Sequence, residues 1–163
     1  MNNRYFSILS GTLLYALLAS VSTQVLAKPT CEKAIADVNN FLKEKGTATV
    51  QNVDELATTL RYLNKTGMLP LNYISHQRAK DLGWSGNDSD SLWGLNRPNG
   101  KYIGGDIYTG PKLNESYDWR SADIDSIRGY RGEKRLLYTN NSNQIKYITP
   151  DNNRHFVALS ACE

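Results

Sequence analysis

The chain has 163 residues, 40% of them hydrophobic, with 19 Lys and Arg against 16 Asp and Glu and a formal net charge of +3. That length supports one domain with a sizeable core, and so mild a charge does not by itself argue for a nucleic-acid partner. Its two cysteines, Cys31 and Cys162, have neither a CxxC nor a CxxH spacing, which argues against a metal site or a redox pair.

Residues 1–27 carry the three-part pattern of a secretory signal peptide. Arg4 is the only charge, an apolar run spans Leu9 to Ala19, and Val25-Leu26-Ala27 ends on the small residue that cleavage requires. A membrane anchor is the other reading, but the apolar run is shorter than the ~20 residues that span a bilayer. The expectation is an exported protein of residues 28–163, secreted or periplasmic, with no membrane attachment after cleavage near Ala27. Losing Arg4 leaves 18 basic residues against 16 acidic ones. In an oxidising compartment Cys31 and Cys162, one near each end, are expected to pair as a single disulfide. A thiol nucleophile or metal ligand is the functional alternative.

Three helices are expected first. Over 31–44, Ala34, Ile35, Val38, Phe41 and Leu42 recur with helical period. Asn52-Val-Asp-Glu55 has the form of a capping box and opens a second helix with Val53, Leu56, Ala57, Leu60 and Leu63 inward, ended by Gly67. Ser75 caps a short third helix over 76–82, before Gly83. The polar, turn-rich stretch 84–101 reads as a surface loop. Strands are expected over Lys101–Tyr108, Tyr117–Ile124, Lys134–Tyr138, Gln144–Thr149 and His155–Ser160, separated by Gly, Asn, Pro or Asp clusters. Helices followed by closely spaced strands predict a single α+β domain with an antiparallel meander.

Six stretches in order resemble one known family. They are Leu69-Pro-x-Asn-Tyr-Ile74, Ala79-x-x-Leu-Gly-Trp84, Ile103-Gly-Gly-Asp-Ile107, Trp119-Arg-x-Ala-Asp-Ile124, Gly129-Tyr-Arg131 and Arg135-Leu-Leu-Tyr138. Together they resemble the barnase-like bacterial members of the guanyl-specific microbial ribonucleases, over roughly residues 53–160; the first helix and the cysteines lie outside. The resemblance implies N-terminal helices packed on a five-stranded antiparallel sheet, with single-stranded RNA crossing the sheet face. It implies an endoribonuclease that is metal-independent and needs no cofactor. The ribose 2′-OH would attack phosphorus to form a 2′,3′-cyclic phosphate. It also implies a monomer that meets a barstar-like protein inhibitor and does not act on DNA.

The same resemblance assigns roles. Arg131 and Arg135 match the phosphate-binding pair, suited to it by planar, permanently charged guanidinium groups; two solvated arginines on a basic turn is the other reading. Asp123 matches the carboxylate that holds them. The general acid is a histidine before an aromatic residue. An ungapped count puts Asn152 there, whereas three extra residues in the Pro150–Arg154 turn put His155 there, followed by Phe156 and a closing strand. The second alignment is preferred, because turn material tolerates insertion.

The family's general base is a glutamate two residues after the tryptophan, and this chain has Ser121. Just inside the third helix it has His76, which as a neutral imidazole would accept the 2′-OH proton. The expected positive end of that helix favours the neutral form. A solvent-exposed helix-start residue is the alternative for His76, and a site that has lost its base is the alternative for the pair. Gly104-Gly105-Asp106 matches the family's bend toward the site, where Asp106 would support its neighbours. Tyr108 and Thr109 open the segment that reads the base in relatives; it is about four residues shorter here, with Glu115 as the available stand-in, so guanine preference is open. Phe156 or Tyr130 would supply a stacking surface for a base; a place in the core is the other reading for either. Two further readings compete with the enzyme: a binding-only RNA relative, and a protein-interaction module on the same fold.

Overall fold

A computed structural model describes residues 27–111, 113, 117–140 and 145–163. Residues 1–26 of the expected signal peptide, and Glu115, lie outside the described residues. Helix α1 (Cys31–Glu44) starts at Thr30, whose side chain accepts the Lys33 N–H. Helix α2 (Val53–Thr66) opens on the expected reciprocal cap: Asn52 accepts from the Glu55 N–H and donates to the Glu55 carboxylate at 2.7 Å. It closes on Gly67, at φ 72°. Strand β1 (Tyr73–Ile74) leads into helix α3 (His76–Asp81), capped by Ser75.

Strands β2 (Tyr102–Ile107), β3 (Arg120–Asp123), β4 (Arg135–Tyr138), β5 (Lys146–Thr149) and β6 (Val157–Leu159) follow. They form the expected five-stranded antiparallel meander, and the fold is α+β. One strand was not expected: β1 adds parallel to β2, so the sheet has six strands in the order β1 to β6. Two residues are too few to show an alternating pattern, which is why the Leu69–Ile74 motif carried no strand signal.

Register divides the sheet into two faces. Ala122, Leu136, Ile148 and Val157 lie opposite one another on successive strands and pack with Ile35, Leu42, Leu60 and Leu63 of the helices. Asp106 and Ser121, then Asp123, Arg135 and Thr149, occupy the alternate positions, so they lie on the other face. The helices therefore fill one side of the sheet and leave the polar row on the other. Cys31 and Cys162 form a disulfide that joins the start of α1 to the chain end after β6.

Two expectations change. Phe41 is exposed rather than part of the α1 stripe, whose buried positions are Cys31, Ala34, Ile35, Val38 and Leu42. The 84–101 stretch is more than a surface loop, because Trp84 and Leu92 are buried with Ala79 and Ile103 in a second small core. Among the described residues no helix is long and apolar enough to cross a membrane.

Candidate active site

The polar face is organised around Asp123. On β3 it lies directly opposite Arg135 of β4, and the hairpin between them returns Arg131 to the same carboxylate. Arg131 donates from Nε to Oδ2 at 2.6 Å and from Nη2 to Oδ1 at 3.0 Å, while Arg135 Nε lies 2.9 Å from Oδ1. Asp123 is 1% exposed at its side chain, and Arg131 and Arg135 are 11% and 8% exposed. Burial opposes the charge on Arg131, but the hydrogen bonds and charge of Asp123, with the charge of Asp88, outweigh it and raise its pKa. Burial dominates at Arg135 and lowers its pKa, Asp123 opposing and Arg131 adding to the fall. Both remain guanidinium ions at neutral pH.

The hairpin that carries Arg131 is tied down at two points. Asp125 accepts the Gln51 and Asn52 N–H groups, each at 2.8 Å, and Lys134 Nζ at 2.7 Å, which anchors it to the start of α2. On its far side the Leu92 N–H donates to Gly129 O at 2.8 Å. Gly129 sits at φ 79°, and a Cβ there would stand 2.6 Å from Trp93 Cγ, so this approach requires glycine.

His155 stands two residues before β6 and is 70% exposed at its side chain. Asp151 holds it twice, accepting the His155 N–H at 2.9 Å and the ring Nδ1 at 2.5 Å. Burial opposes the Asp151 charge, but the bonds from His155 outweigh it and hold this carboxyl below its ordinary range. With Nδ1 engaged, Nε2 is the nitrogen left for other partners. The link to the arginines is short: Thr149 pairs with Arg135 across β4 and β5, and its hydroxyl accepts the Asn153 N–H in the turn that leads to His155. Asn152 is in that turn at φ 56°, exposed, its N–H donating to Glu133 O at 2.8 Å.

At the other end of the face, the His76 N–H donates to Asp106 Oδ2 at 2.8 Å. Asp106 lies opposite Ser121, just past a bulge centred on Gly105 at φ 94°. Asp106 thus takes up the first N–H of α3, beside the Ser75 cap. The His76 ring meets Trp84 edge-on at 4.8 Å between centroids, and the Arg131 guanidinium lies 5.9 Å from the same indole. So the Trp84 indole contacts both His76 and Arg131, and Ser121 is joined to this end of the face through Asp106, its partner across the strands. Helix α3 has six residues, one fewer than the expected 76–82, and His76 is its first.

Aromatic side chains line the sheet beside His155. Tyr108 and Phe156 meet edge to face at 6.5 Å, and Trp119 contacts Tyr147 at 5.5 Å. The Tyr108 hydroxyl is buried without a hydrogen-bond partner among the described residues, and Thr109 beside it is exposed. Tyr130, half exposed, sits in the hairpin next to Arg131. Among the described residues no cluster of three or more His, Cys, Asp or Glu side chains is arranged to hold a metal.

Two site residues escaped the sequence reading. Asp151 could have been found, since a carboxylate four residues before the candidate histidine, in a Pro-Asp turn, is within reach of it. Asp88 could not: it meets Arg131 Nη1 at 2.5 Å across 43 residues of sequence, and only the packing of the 84–101 segment brings it there.

The fold and this face define an α+β protein with a buried guanidinium pair at the centre of an open sheet and a histidine at either end. No protein-family model matches the chain. It is 32% identical over 105 residues to a ribonuclease of Heyndrickxia coagulans, a match covering 60% of this chain and 89% of that protein. Ribonucleases of Bacillus intermedius and Bacillus pumilus match at 32% over 105 residues, covering 60% of this chain and 60% of each. The chain belongs to this family of microbial ribonucleases, as its six motifs indicated.

Proposed function

We propose that residues 28–163, exported and freed of the leader near Ala27, form an endoribonuclease that cleaves single-stranded RNA by transesterification. The arrangement that supports this best is the guanidinium pair on Asp123 between His76 and His155. Arg131 and Arg135 bind the scissile phosphate and stabilise the charge that grows on its oxygens. His76 takes the proton from the 2′-OH, and the 2′ oxygen attacks phosphorus. The bond to the 5′ oxygen breaks as His155 gives that oxygen a proton, leaving a 2′,3′-cyclic phosphate. Water then adds by the reverse proton path. Asp151 fixes the His155 tautomer and aims Nε2 at the leaving oxygen.

No step requires a metal or cofactor. DNA lacks the nucleophile and is not cut. Ser121 adds a hydroxyl near the 2′ oxygen rather than a base. Tyr108, Thr109, Glu115 and Phe156 contact the base, with guanine the candidate. The protein acts as a monomer, and a barstar-like acidic inhibitor would cover the same arginines.

The direct test is cleavage of a fluorescent RNA by oxidised 28–163 beside His76→Ala and His155→Ala. Each substitution is expected to lower kcat by about 10²–10⁴, the usual contribution of a general acid or base. A second reading rests on one observation, Ser121 in the place of the family's glutamate: a descendant that binds RNA or a protein inhibitor without turnover. Salt-sensitive RNA binding with no product from the folded wild type would favour it.

A further inference from the structure

Asp88 has no role in that mechanism, yet it touches the centre of the site. Asp123 takes Nε and Nη2 of Arg131, which leaves Nη1 as the nitrogen free to join a bidentate grip on phosphate. Asp88 Oδ1 occupies that nitrogen at 2.5 Å. The two carboxylates differ sharply. Asp123 is 1% exposed and bonded to both arginines, whereas Asp88 is 64% exposed with a single contact to one. Asp123 belongs to the scaffold; Asp88 is an exchangeable occupant.

The segment that carries Asp88 is braced on both sides of it. The Ser85 hydroxyl accepts the Asn87 N–H at 3.1 Å, and Asn87 Oδ1 accepts from the Ser89 N–H at 3.0 Å and hydroxyl at 2.9 Å. Beyond them, Trp84 Nε1 donates to Asp90 O at 3.1 Å and Arg97 Nη1 pairs with Asp90 at 2.8 Å. A carboxylate on so ordered a turn stays near Arg131 even when it releases it. In charge the cluster is balanced, two guanidinium groups against two carboxylates, so an incoming phosphate finds an attractive site only as Asp88 withdraws.

We propose that Asp88 is a resident substitute for the substrate phosphate: RNA binds by exchanging its phosphate for this carboxylate on Arg131, and Asp88 thereby sets substrate affinity and its salt dependence. The proposal rests on the ribonuclease reading above, because it needs the arginines to be the phosphate site.

The test compares wild type, Asp88→Asn and Asp88→Ala. Glu44→Gln is the control, removing one exposed charge from α1 on the opposite side of the sheet. Binding is measured for inorganic phosphate and for a single-stranded 2′-deoxy oligonucleotide, which cannot react. Both Asp88 variants are expected to bind each probe about two- to fivefold more tightly, the worth of a part-exposed ion pair, with the control unchanged. For the oligonucleotide the slope of log K against log salt steepens, because in wild type the carboxylate set free by the phosphate takes up a cation and in the variants it is absent.

Unchanged or weaker binding by the Asp88 variants, in a wild type that cleaves RNA, overturns the exchange while leaving the ribonuclease reading intact. Lost cleavage at unchanged affinity also overturns it and makes Asp88 part of the chemistry. A folded wild type that binds neither probe and cuts no RNA removes both proposals together.

Discussion

In the proposed mechanism Asp123 serves both stability and function, so removing it gives the most demanding prediction. Its carboxylate accepts two hydrogen bonds from Arg131 and contacts Arg135 at 2.9 Å. Asp123→Ala leaves two guanidinium groups facing each other with side chains 11% and 8% exposed, so water replaces little of what is lost. Breaking a buried pair of this kind costs about 3–5 kcal/mol, a large part of the 5–15 kcal/mol typical of a whole domain. Urea unfolding of the oxidised 28–163 protein should show a midpoint lowered by that loss divided by m, with m unchanged. Asp123→Asn keeps the shape but not the charge, and should fall between wild type and alanine. Cleavage, measured well below each midpoint, should drop with both variants, since the arginines lose their common anchor. A loss under about 1 kcal/mol for alanine, the range of a surface pair, would mean that the buried cluster holds no more tightly than an exposed one.

Reduction of the Cys31–Cys162 bond, across a sequence separation of 131, should destabilise by about 5 kcal/mol in the chain-entropy treatment, read as a lowered Tm in dithiothreitol. Asp151→Asn should lower kcat about tenfold with little change in KM, the expected loss for a misdirected acid, and Asp151→Glu should restore part of it if the role is orientation. Stability should fall at both ends of the pH scale. Hydrogen bonds from Arg97 to Asp90 and from His155 to Asp151 hold these carboxyls below their unfolded values. Their contribution is therefore present above the unfolded pKa near 4 and lost as pH drops through the folded values. Burial pushes the Tyr138 hydroxyl up to about 12, so its contribution is complete below pH ~10 and lost as pH rises through the folded value. Urea midpoints across pH 2–12 check both limbs, and Asp90→Asn should flatten the acidic one.

Most of the fold was legible because the relevant signals are local. The α2 cap is written in Asn52 and Glu55, its end in Gly67, and the helix stripes repeat every three or four residues. The meander follows from short strands between turn residues. What was missed depends on contacts between distant segments. Strand β1 exists only because Tyr73 and Ile74 find Tyr102 and Ile103, and the 84–101 stretch is anchored because Trp84 and Leu92 are buried with Ile103.

The candidate site divides the same way. The resemblance joined Asp123 to Arg131 and Arg135, and the strand register brings Asp123 and Arg135 opposite each other. Arg131 reaches the same carboxylate through a hairpin whose geometry depends on Gly129 and Asp125. The contacts of Trp84 with His76 and Arg131 join three separate elements. No pattern along the chain announces them, nor the approach of Asp88.

Transesterification is read most plainly from the chemistry of the cut ends. Oxidised 28–163 is incubated with a short single-stranded RNA and with the same sequence as DNA, and the products are weighed by mass spectrometry. The account predicts early RNA fragments ending in 2′,3′-cyclic phosphate, untouched DNA, and at least ~100-fold slower cleavage by His155→Ala. Fragments bearing 5′-phosphates, cut DNA, or a His155→Ala variant as fast as wild type would contradict it.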